Sequence, residues 1–226
     1  MTPFMRRISA RARARRAEFF RQRFVLDETT RILDLGAERG ANIHVVLRGT
    51  GVRPANVYIA DLEGRDVAEG SRLYGYVAVP LVEGQSLPFP DKFFDIVFCS
   101  SVIEHVTVPK CRMWREWSGR RFREESLARQ AEFAAEIRRV GRQYFVQTPY
   151  RNFPIEPHSW LPFLAWLPRW AQVAVLRLTR FAWVTRPDPD FHLLDRGEFA
   201  GLFSEAQIVE EKFCGLTKSL MALKTS

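Results

Sequence analysis

The feature that most constrains the fold is a series of short apolar segments that each end on glycine or on a small polar residue. RILDL runs into Gly36, VYIA into Asp61, and FFDIVFC into Ser100 and Ser101. Short apolar strands that alternate with helical stretches are typical of a parallel sheet, whose ligand crevice lies at the carboxyl ends of the strands. The sequence therefore predicts an α/β fold with a binding site at these ends.

Periodicity and turn signals place the remaining elements. The predicted strands, the last two of them an antiparallel pair, are Arg31–Leu35, Asn56–Ala60, Val77–Val82, Phe94–Cys99, Gln143–Thr148, Gln207–Phe213 and Leu216–Leu223. Helices are predicted over Gly40–Arg48 and about Val108–Val140. A third begins at a capping box formed by Asp195 and Glu198 and continues through Phe203.

The order of these signals resembles a known family. A strand with a glycine turn, a strand with an acid, the turn Leu87–Pro90 (LPFP) and the segment Ser100–Val106 (SSVIEHV) occur in the order found in class I S-adenosylmethionine-dependent methyltransferases, in particular the small type 11 branch. The resemblance covers roughly residues 31–149. It implies a Rossmann-like, seven-stranded, mostly parallel sheet with an antiparallel last strand, helices on both faces, and S-adenosylmethionine as cofactor.

Four regions are expected on this plan. Residues 1–28 form a basic N-terminal arm or helix, and residues 29–149 form the cofactor-binding core. Residues 150–192 form a Pro- and Trp-rich helical insertion or lid. Residues 193–226 complete the core with a helix and a strand pair.

The chemistry of the cofactor selects residues at the strand ends. Asp61 can accept hydrogen bonds from both ribose hydroxyls, one at each carboxylate oxygen. Gly36 and Gly40 permit the backbone to approach the amino-acid end of the cofactor closely. Asp34 is predicted to hold the ammonium group, directly or through water.

The resemblance adds contacts on the other side of the cofactor. It implies that Glu83 reaches the adenine amino group, with Gly84 and Gln85 beside the ring. It also implies that Ser100 and Ser101 line the methionine portion.

One residue departs from the family pattern. The glycine turn of the family reads D-x-G-x-G-x-G, and Glu38 stands at the middle glycine. A negative side chain there could repel the cofactor carboxylate, or the turn could splay so that Glu38 points to solvent.

Candidate catalytic and metal-binding residues are few. His158 lies on a proline-stiffened loop, where it is either the base for a hydroxyl acceptor or a hydrogen-bonded loop residue. Glu104 and His105 are expected to support the site structurally, and so is His192. No two histidines or cysteines share ligand spacing, so the sequence predicts no metal site.

The charge is concentrated at the N-terminus. Residues 1–24 contain eight arginines and one acid, which gives +7 of the formal net charge of +8. The arginines fall on all sides of a helix, which favours attachment to phosphate or acidic lipid over insertion of one helix face. The alternative is a leader helix that packs Phe19, Phe20 and Phe24 on the domain.

The insertion is rich in tryptophan and arginine. Residues 160–184 contain four tryptophans and three arginines without an acid, and the arginines interrupt any run long enough to span a membrane. On a helix, Arg169, Arg177 and Arg180 share one arc, opposite Ala171, Ala174, Leu178 and Ala182. The alternatives are a lid over the acceptor, a membrane-surface element and a dimer interface; the resemblance favours the lid.

These features together predict a methyltransferase. In-line methyl transfer to a small-molecule, glycan or lipid-linked acceptor is expected, with an anionic membrane surface as a partner of the arm and of residues 160–184. Nucleic acid ranks below these acceptors, because no aromatic-proline tetrad follows the fourth strand. GAERGAN does not match the G-x-G-x-x-G of nicotinamide-dependent enzymes.

The sequence predicts a cytoplasmic protein, because no apolar segment follows the basic N-terminus. The alternative is a non-catalytic binding or assembly protein of the same fold that uses the arm and the Trp-rich helix.

Overall fold

The structure, a computed structural model, describes residues 3–179 and 188–225 of the chain. Its strands are β1 (Ile32–Leu35), β2 (Val57–Asp61), β3 (Val77–Pro80), β4 (Phe94–Ser100), β5 (Gly141–Pro149), β6 (Gln207–Phe213) and β7 (Leu216–Lys224). Its helices are α1 (Pro3–Arg23), α2 (Ala41–Leu47), α3 (Gly64–Tyr74), α4 (Gly119–Val140), α5 (Arg169–Thr179) and α6 (Arg196–Leu202).

The seven strands form one sheet in the order β3-β2-β1-β4-β5-β7-β6. The sheet is mostly parallel with antiparallel last strands, which confirms the predicted Rossmann-like architecture. β1 pairs in parallel with β2 and with β4, so that Leu35 lies opposite Ala60 and Asp34 opposite Phe98. The three carboxyl ends are therefore neighbours at one edge of the sheet.

One of the predicted helices begins where the sequence places it, and another begins later. The capping box is confirmed: the Asp195 side chain accepts the amide of Glu198, and the Glu198 side chain accepts the amide of Asp195. The predicted helix over Val108–Val140 is wrong in its first third, because helix α4 begins only at Gly119. Residues 108–118 form turns instead, and Met113 packs with Phe122 in a small apolar cluster.

Helix α3 was not predicted, because its apolar signal is sparse. It buries Val67 and Gly70. A Cβ on Gly70 would lie 2.4 Å from the carbonyl oxygen of Arg39, so only glycine allows this helix to approach the turn after β1.

The chain divides into two compact units. The first, here called the N-terminal unit, contains Pro3–Ser100, Glu136–Val146 and the chain from Leu223. The second, the C-terminal unit, contains Ser101–Ala135 and Gln147–Ala222.

Helix α1 is part of the core of the N-terminal unit. Phe20 is fully buried, and its ring meets those of Phe98 and Phe145 edge-on at centroid distances of 5.4 and 5.6 Å. Phe24 stacks on Phe20 at 4.6 Å. Arg21 donates hydrogen bonds to carbonyl oxygens in the last turn of α2, a common way to satisfy a helix C-terminus. The leader-helix alternative is thus realised for Phe20 and Phe24.

The exposed part of α1 keeps its positive charge. Arg11, Arg13 and Arg15 lie on the solvent side of the helix, whereas Ala12 and Ala17 face the core. Within residues 3–179 and 188–225, no helix is long and apolar enough to cross a membrane.

Phe20→Ala should destabilise the protein by about 3–5 kcal/mol, because it removes a fully buried aromatic ring from a packed core. The matched control is Phe19→Ala. The ring of Phe19 is partly exposed beneath the guanidinium of Arg23, so its loss should cost much less. Chemical denaturation of both variants measures the difference. Equal, small losses would mean that α1 does not belong to the core.

Candidate functional site

The turn after β1 rests on the end of β2. The backbone amides of Gly36 and Ala37 both donate to the carbonyl oxygen of Ala60, at 2.8 and 3.2 Å. Gly36 and Gly40 have φ angles of 76° and 73°, in the left-handed region that glycine enters without cost. A Cβ on Gly40 would lie 3.1 Å from the Ile59 side chain, so glycine also permits close packing there.

Asp61 is oriented by two backbone amides. Its Oδ2 accepts the amide of Glu38 at 2.8 Å, and its Oδ1 accepts the amide of Glu63 at 3.3 Å. Each oxygen of an ionised carboxylate can accept a further hydrogen bond. The residue that the sequence predicts for the ribose is therefore held in a fixed direction with one acceptor site left at each oxygen.

Glu38 stands where the family pattern has glycine, and it adopts a left-handed backbone conformation. Its φ is 50°, and its side chain is exposed. A left-handed conformation costs a residue other than glycine about 1 kcal/mol. Glu38 therefore points to solvent, as the second alternative expects, but the turn reaches this arrangement through a left-handed residue.

Asp34 is a buried acid without a hydrogen-bond partner on one oxygen. The residue is 3% exposed, and Oδ2 meets no donor. Burial, and then the charges of Asp61 and Glu38, raise the pKa of Asp34 to about 8. A cation placed here would gain a charged partner, so the site fits the ammonium group that the sequence analysis assigns to Asp34.

The predicted adenine contacts lie in a loop after β3. The amide of Leu81, at the start of that loop, donates to the carbonyl oxygen of Asp61 at 2.8 Å. Glu83, Gly84 and Gln85 are exposed, and Gly84 has a φ of 80°. Their contact with adenine stays a prediction.

Ser100 ends β4 and Ser101 follows it, and the two side chains have different hydrogen-bond partners. Ser100 Oγ accepts from Arg16 at 3.3 Å within the N-terminal unit. Ser101 has a φ of 60°, and its amide and hydroxyl both donate to Gln147, in the C-terminal unit.

His158 lies in a cluster that the sequence reasoning missed. Its Nε2 is 3.1 Å from His105 Nε2 and 3.8 Å from Glu104 Oε1, although the two histidines are 53 positions apart in the chain. Its Nδ1 contacts Glu156 Oε1 at 2.6 Å, and His105 Nδ1 contacts Asp190 Oδ1 at 3.2 Å. Local spacing could not have predicted this group, because the loop that carries His158 comes from the insertion.

The two carboxylates change the titration of this cluster. Burial alone would lower the pKa of His105, but the hydrogen bond to Asp190 and the nearby acids outweigh burial, so that pKa is raised. Burial would likewise raise the pKa of Glu156, but the hydrogen bond and charge of His158 lower it.

His192 and His44 have structural partners. His192 is buried against Gln130, with its Nδ1 3.1 Å from the amide oxygen, and burial lowers its pKa to about 4. His44 Nδ1 lies 3.2 Å from the hydroxyl of Tyr76.

The insertion turns its first arginine inward. Arg169 is 5% exposed, and its guanidinium lies 3.7 Å from the centroid of the Phe122 ring. It donates to the carbonyl oxygens of Met113, Glu116 and Pro189. The expectation of an arginine face opposite an apolar face is therefore wrong for α5: Arg169 lies with Val173 and Leu176 on the buried side, and Leu178 is 79% exposed. Arg180, Ala182 and Trp183 lie outside the described residues.

A small cavity of about 170 Å³ opens beside this arginine in the C-terminal unit. Its basic lining consists of Arg123, Arg151 and Arg169. Arg123 and Arg151 are both ion-paired with Glu198. Sequence reasoning did not identify this cavity, because its lining comes from four separate stretches of the chain.

Part of this chain resembles known methyltransferases in sequence. The family model described as "Methyltransferase domain", type 11, matches residues 33–119. No curated protein matches the chain.

Solved structures share the fold at low identity. A protein described as an O-methyltransferase from Nostoc punctiforme is 14% identical, with a TM-score of 0.55 over 98% of this chain and 59% of that one. The complex of the Haloferax volcanii Trm112 methyltransferase activator with a methyltransferase is 12% identical, with a TM-score of 0.52 over 95% of this chain and 95% of that one. The methyltransferase CalH in complex with SAH is 14% identical, with a TM-score of 0.53 over 87% of this chain and 52% of that one.

The buried acid at the end of β1 should make stability fall with rising pH. The pKa of Asp34 is about 8 in the folded chain and about 3.9 in an unfolded one, so between these values the folded state binds more protons. The free energy of unfolding should therefore decrease through this window, by on the order of 3–4 kcal/mol between pH 5 and pH 8, and level off above it.

Asp34→Asn should lose this component of the pH dependence, and the exposed control Asp91→Asn should keep it. Urea denaturation of the ligand-free protein at pH 5, 6, 7 and 8 measures both. An unchanged pH slope in Asp34→Asn would contradict the assignment.

Proposed function

We propose that this chain transfers a methyl group from S-adenosylmethionine to a small-molecule, glycan or lipid-linked acceptor. Residues 33–119 match the model of the type 11 methyltransferase domain, and the fold is that of the class I S-adenosylmethionine-dependent methyltransferases. The observation that carries the proposal is the pairing of two acids at adjacent strand ends. Asp61 is oriented by backbone amides, and Asp34 is buried with an oxygen that lacks a partner.

These acids and the turn between them fit S-adenosylmethionine. When bound, the cofactor supplies a methyl group activated by its sulfonium. Asp61 accepts the two ribose hydroxyls, and Asp34 accepts the ammonium group. Gly36 and Gly40 keep side chains away from the amino-acid end. The site is acidic, which matches a ligand that carries cationic sulfonium and ammonium groups.

Glu38 lowers the affinity of this site for the cofactor but does not block the site. Its exposed side chain leaves the turn intact, but its charge adds to the acidity around Asp34. The cofactor carboxylate is repelled by the same charge. This balance predicts a site that binds the cofactor with reduced affinity.

Methyl transfer is an in-line displacement, so the protein acts mainly by positioning the acceptor. His158 was predicted as the base for a hydroxyl acceptor. Its Nδ1 is held by Glu156, which leaves Nε2 as the reactive nitrogen. The proposed reaction does not require this base if the acceptor is a nucleophile without a proton to lose.

The exposed surface of the insertion favours a lipid-linked acceptor. Trp166 and Trp170 are 54% and 60% exposed, and the ring of Phe163 lies tilted against that of Trp166 at a centroid distance of 5.0 Å. Exposed aromatic and aliphatic side chains grouped in this way are typical of surfaces that meet a lipid interface. The exposed arginines of α1 would add attraction to anionic headgroups.

Asp61→Ala should abolish binding of S-adenosylmethionine and of its demethylated product, because it removes the acceptor for both ribose hydroxyls. Calorimetric titration should show micromolar binding to the wild type and at least about a 100-fold loss in the variant. Asp91→Ala, which removes an exposed carboxylate of the LPFP turn, is the control and should bind like the wild type. Absence of binding to the well-folded wild type would favour the non-catalytic alternative.

Replacement of Glu38 separates its charge from its backbone strain. Glu38→Gln removes the charge and keeps the strained φ, whereas Glu38→Gly removes both. Each should bind S-adenosylmethionine more tightly than the wild type, because each removes the charge that repels the cofactor carboxylate. Glu38→Gly should in addition be more stable by about 1 kcal/mol, because it also removes the strain. Weaker binding by both variants in the same titration would show that Glu38 contributes a favourable contact.

The lipid-linked acceptor predicts binding to anionic vesicles at low salt. In a flotation assay the double variant Trp166→Ser/Trp170→Ser should lose most of this binding, and Val25→Ser, at an 84% exposed position in the N-terminal unit, should retain it. If the wild-type protein ignores anionic vesicles, the lipid-linked acceptor is excluded and the small-molecule and glycan acceptors remain.

A further inference from the structure

We infer that Glu104, His105 and His158 bind a divalent transition-metal ion in the C-terminal unit. Each residue contributes one ligand atom, and these atoms all lie within 4.8 Å of one another. The inference goes beyond methyl transfer and does not depend on the cofactor site.

The two imidazoles face each other through the nitrogens that a metal would use. His105 Nε2 and His158 Nε2 are 3.1 Å apart. Two ligands of one tetrahedral zinc ion, with bonds of about 2.0–2.1 Å, lie about 3.3 Å apart. The pair is therefore spaced for one shared ion with only a small adjustment.

The opposite nitrogens are held by carboxylates. Asp190 lies 3.2 Å from His105 Nδ1, and Glu156 lies 2.6 Å from His158 Nδ1. An ionised carboxylate only accepts hydrogen bonds, so each partner favours the tautomer with its proton on Nδ1. In these tautomers both Nε2 lone pairs point into the cluster. A carboxylate behind a ligating histidine is the common arrangement in protein metal sites.

Glu104 supplies the third metal ligand through Oε1, an oxygen that makes no hydrogen bond. The residue is fully buried, its Oε2 accepts from Thr148 at 3.1 Å, and its Oε1 has no hydrogen-bond partner. That Oε1 lies 3.8 Å from His158 Nε2, too far for a hydrogen bond. A proton shared between the two imidazoles would satisfy the nitrogens but leave this oxygen unpaired. A cation at the centre satisfies all three groups.

The donor set selects the kind of ion. Two imidazole nitrogens and one carboxylate oxygen suit Zn²⁺ and its first-row neighbours, whereas Mg²⁺ and Ca²⁺ prefer oxygen ligands alone. The side chain of His105 is 35% exposed, so a fourth position is open to an oxygen ligand from solvent. The inference assigns His158 to metal binding, which is incompatible with its predicted role as a free base.

The test uses the full-length protein after removal of metal with a chelator. Titration with Zn²⁺ should show one ion bound per chain, and Co²⁺ should give the intense visible absorption of a tetrahedral site. His105→Ala and His158→Ala should each lower Zn²⁺ affinity by about 100-fold or more, and Glu104→Gln and Asp190→Asn by about 10-fold or more. His44→Ala is the control and should bind like the wild type.

Three results would overturn the inference. They are no saturable binding of Zn²⁺ or Co²⁺ to the folded wild type, binding that survives both histidine variants, and binding that disappears in Cys111→Ser or Cys214→Ser, whose thiols are exposed. Near-UV circular dichroism establishes that each variant is folded, and His105, on the surface, is the position least able to disturb the core. No S-adenosylmethionine is present, so the outcome is separate from that of the methyltransferase proposal.

Discussion

The hydrogen bond from the Glu38 amide to the Asp61 carboxylate joins the two halves of the proposed cofactor site. It ties the turn after β1 to the end of β2 at a distance of 2.8 Å. The parallel pairing of these strands brings the two together, since Leu35 lies opposite Ala60. Because the bond comes from the backbone, the turn can keep this geometry with a glutamate at a position where the family has glycine.

The electrostatics of the site follow from the same contact. Asp61 and Glu38 lie close enough to the buried Asp34 to raise its pKa further after burial has done so. An acid that is neutral near pH 7 in the empty protein becomes charged when a cation arrives, so binding of an ammonium group should release a proton. The free energy of unfolding of the ligand-free chain is thus lower than it would be without this acid, and binding of the ligand raises it again.

Much of the fold could be predicted from the sequence, because the strands carry strong local signals. RILDLG and VYIAD each combine an apolar run with a sharp end, and the structure places their ends side by side. Asp195 and Glu198 likewise predict the start of a helix, because the two residues of a capping box lie only three positions apart in the chain. Helix α3 carried no such signal, because it buries only Val67 and Gly70. The start of α4 carried a weaker one: the hydroxyl of Ser118, which follows a turn region rich in charges, accepts the amide of Arg121.

The clusters of the C-terminal unit could not be predicted, because they are built from distant segments. Glu104 and His105 follow β4, whereas His158 and Glu156 belong to the insertion and Asp190 lies beyond it. Arg169 reads as a surface charge in the sequence, yet it is buried over the Phe122 ring with three carbonyl partners. Spacing along the chain says nothing about contacts that only tertiary packing creates.

The most direct test of the cofactor site is amide hydrogen exchange with and without S-adenosylhomocysteine. Exchange should slow in residues 34–40 and 61–63, including the Glu38 amide that bonds to Asp61, and in residues 83–85. Protection confined to other segments, or no change anywhere despite saturating ligand, would contradict the claim that these strand ends bind the cofactor.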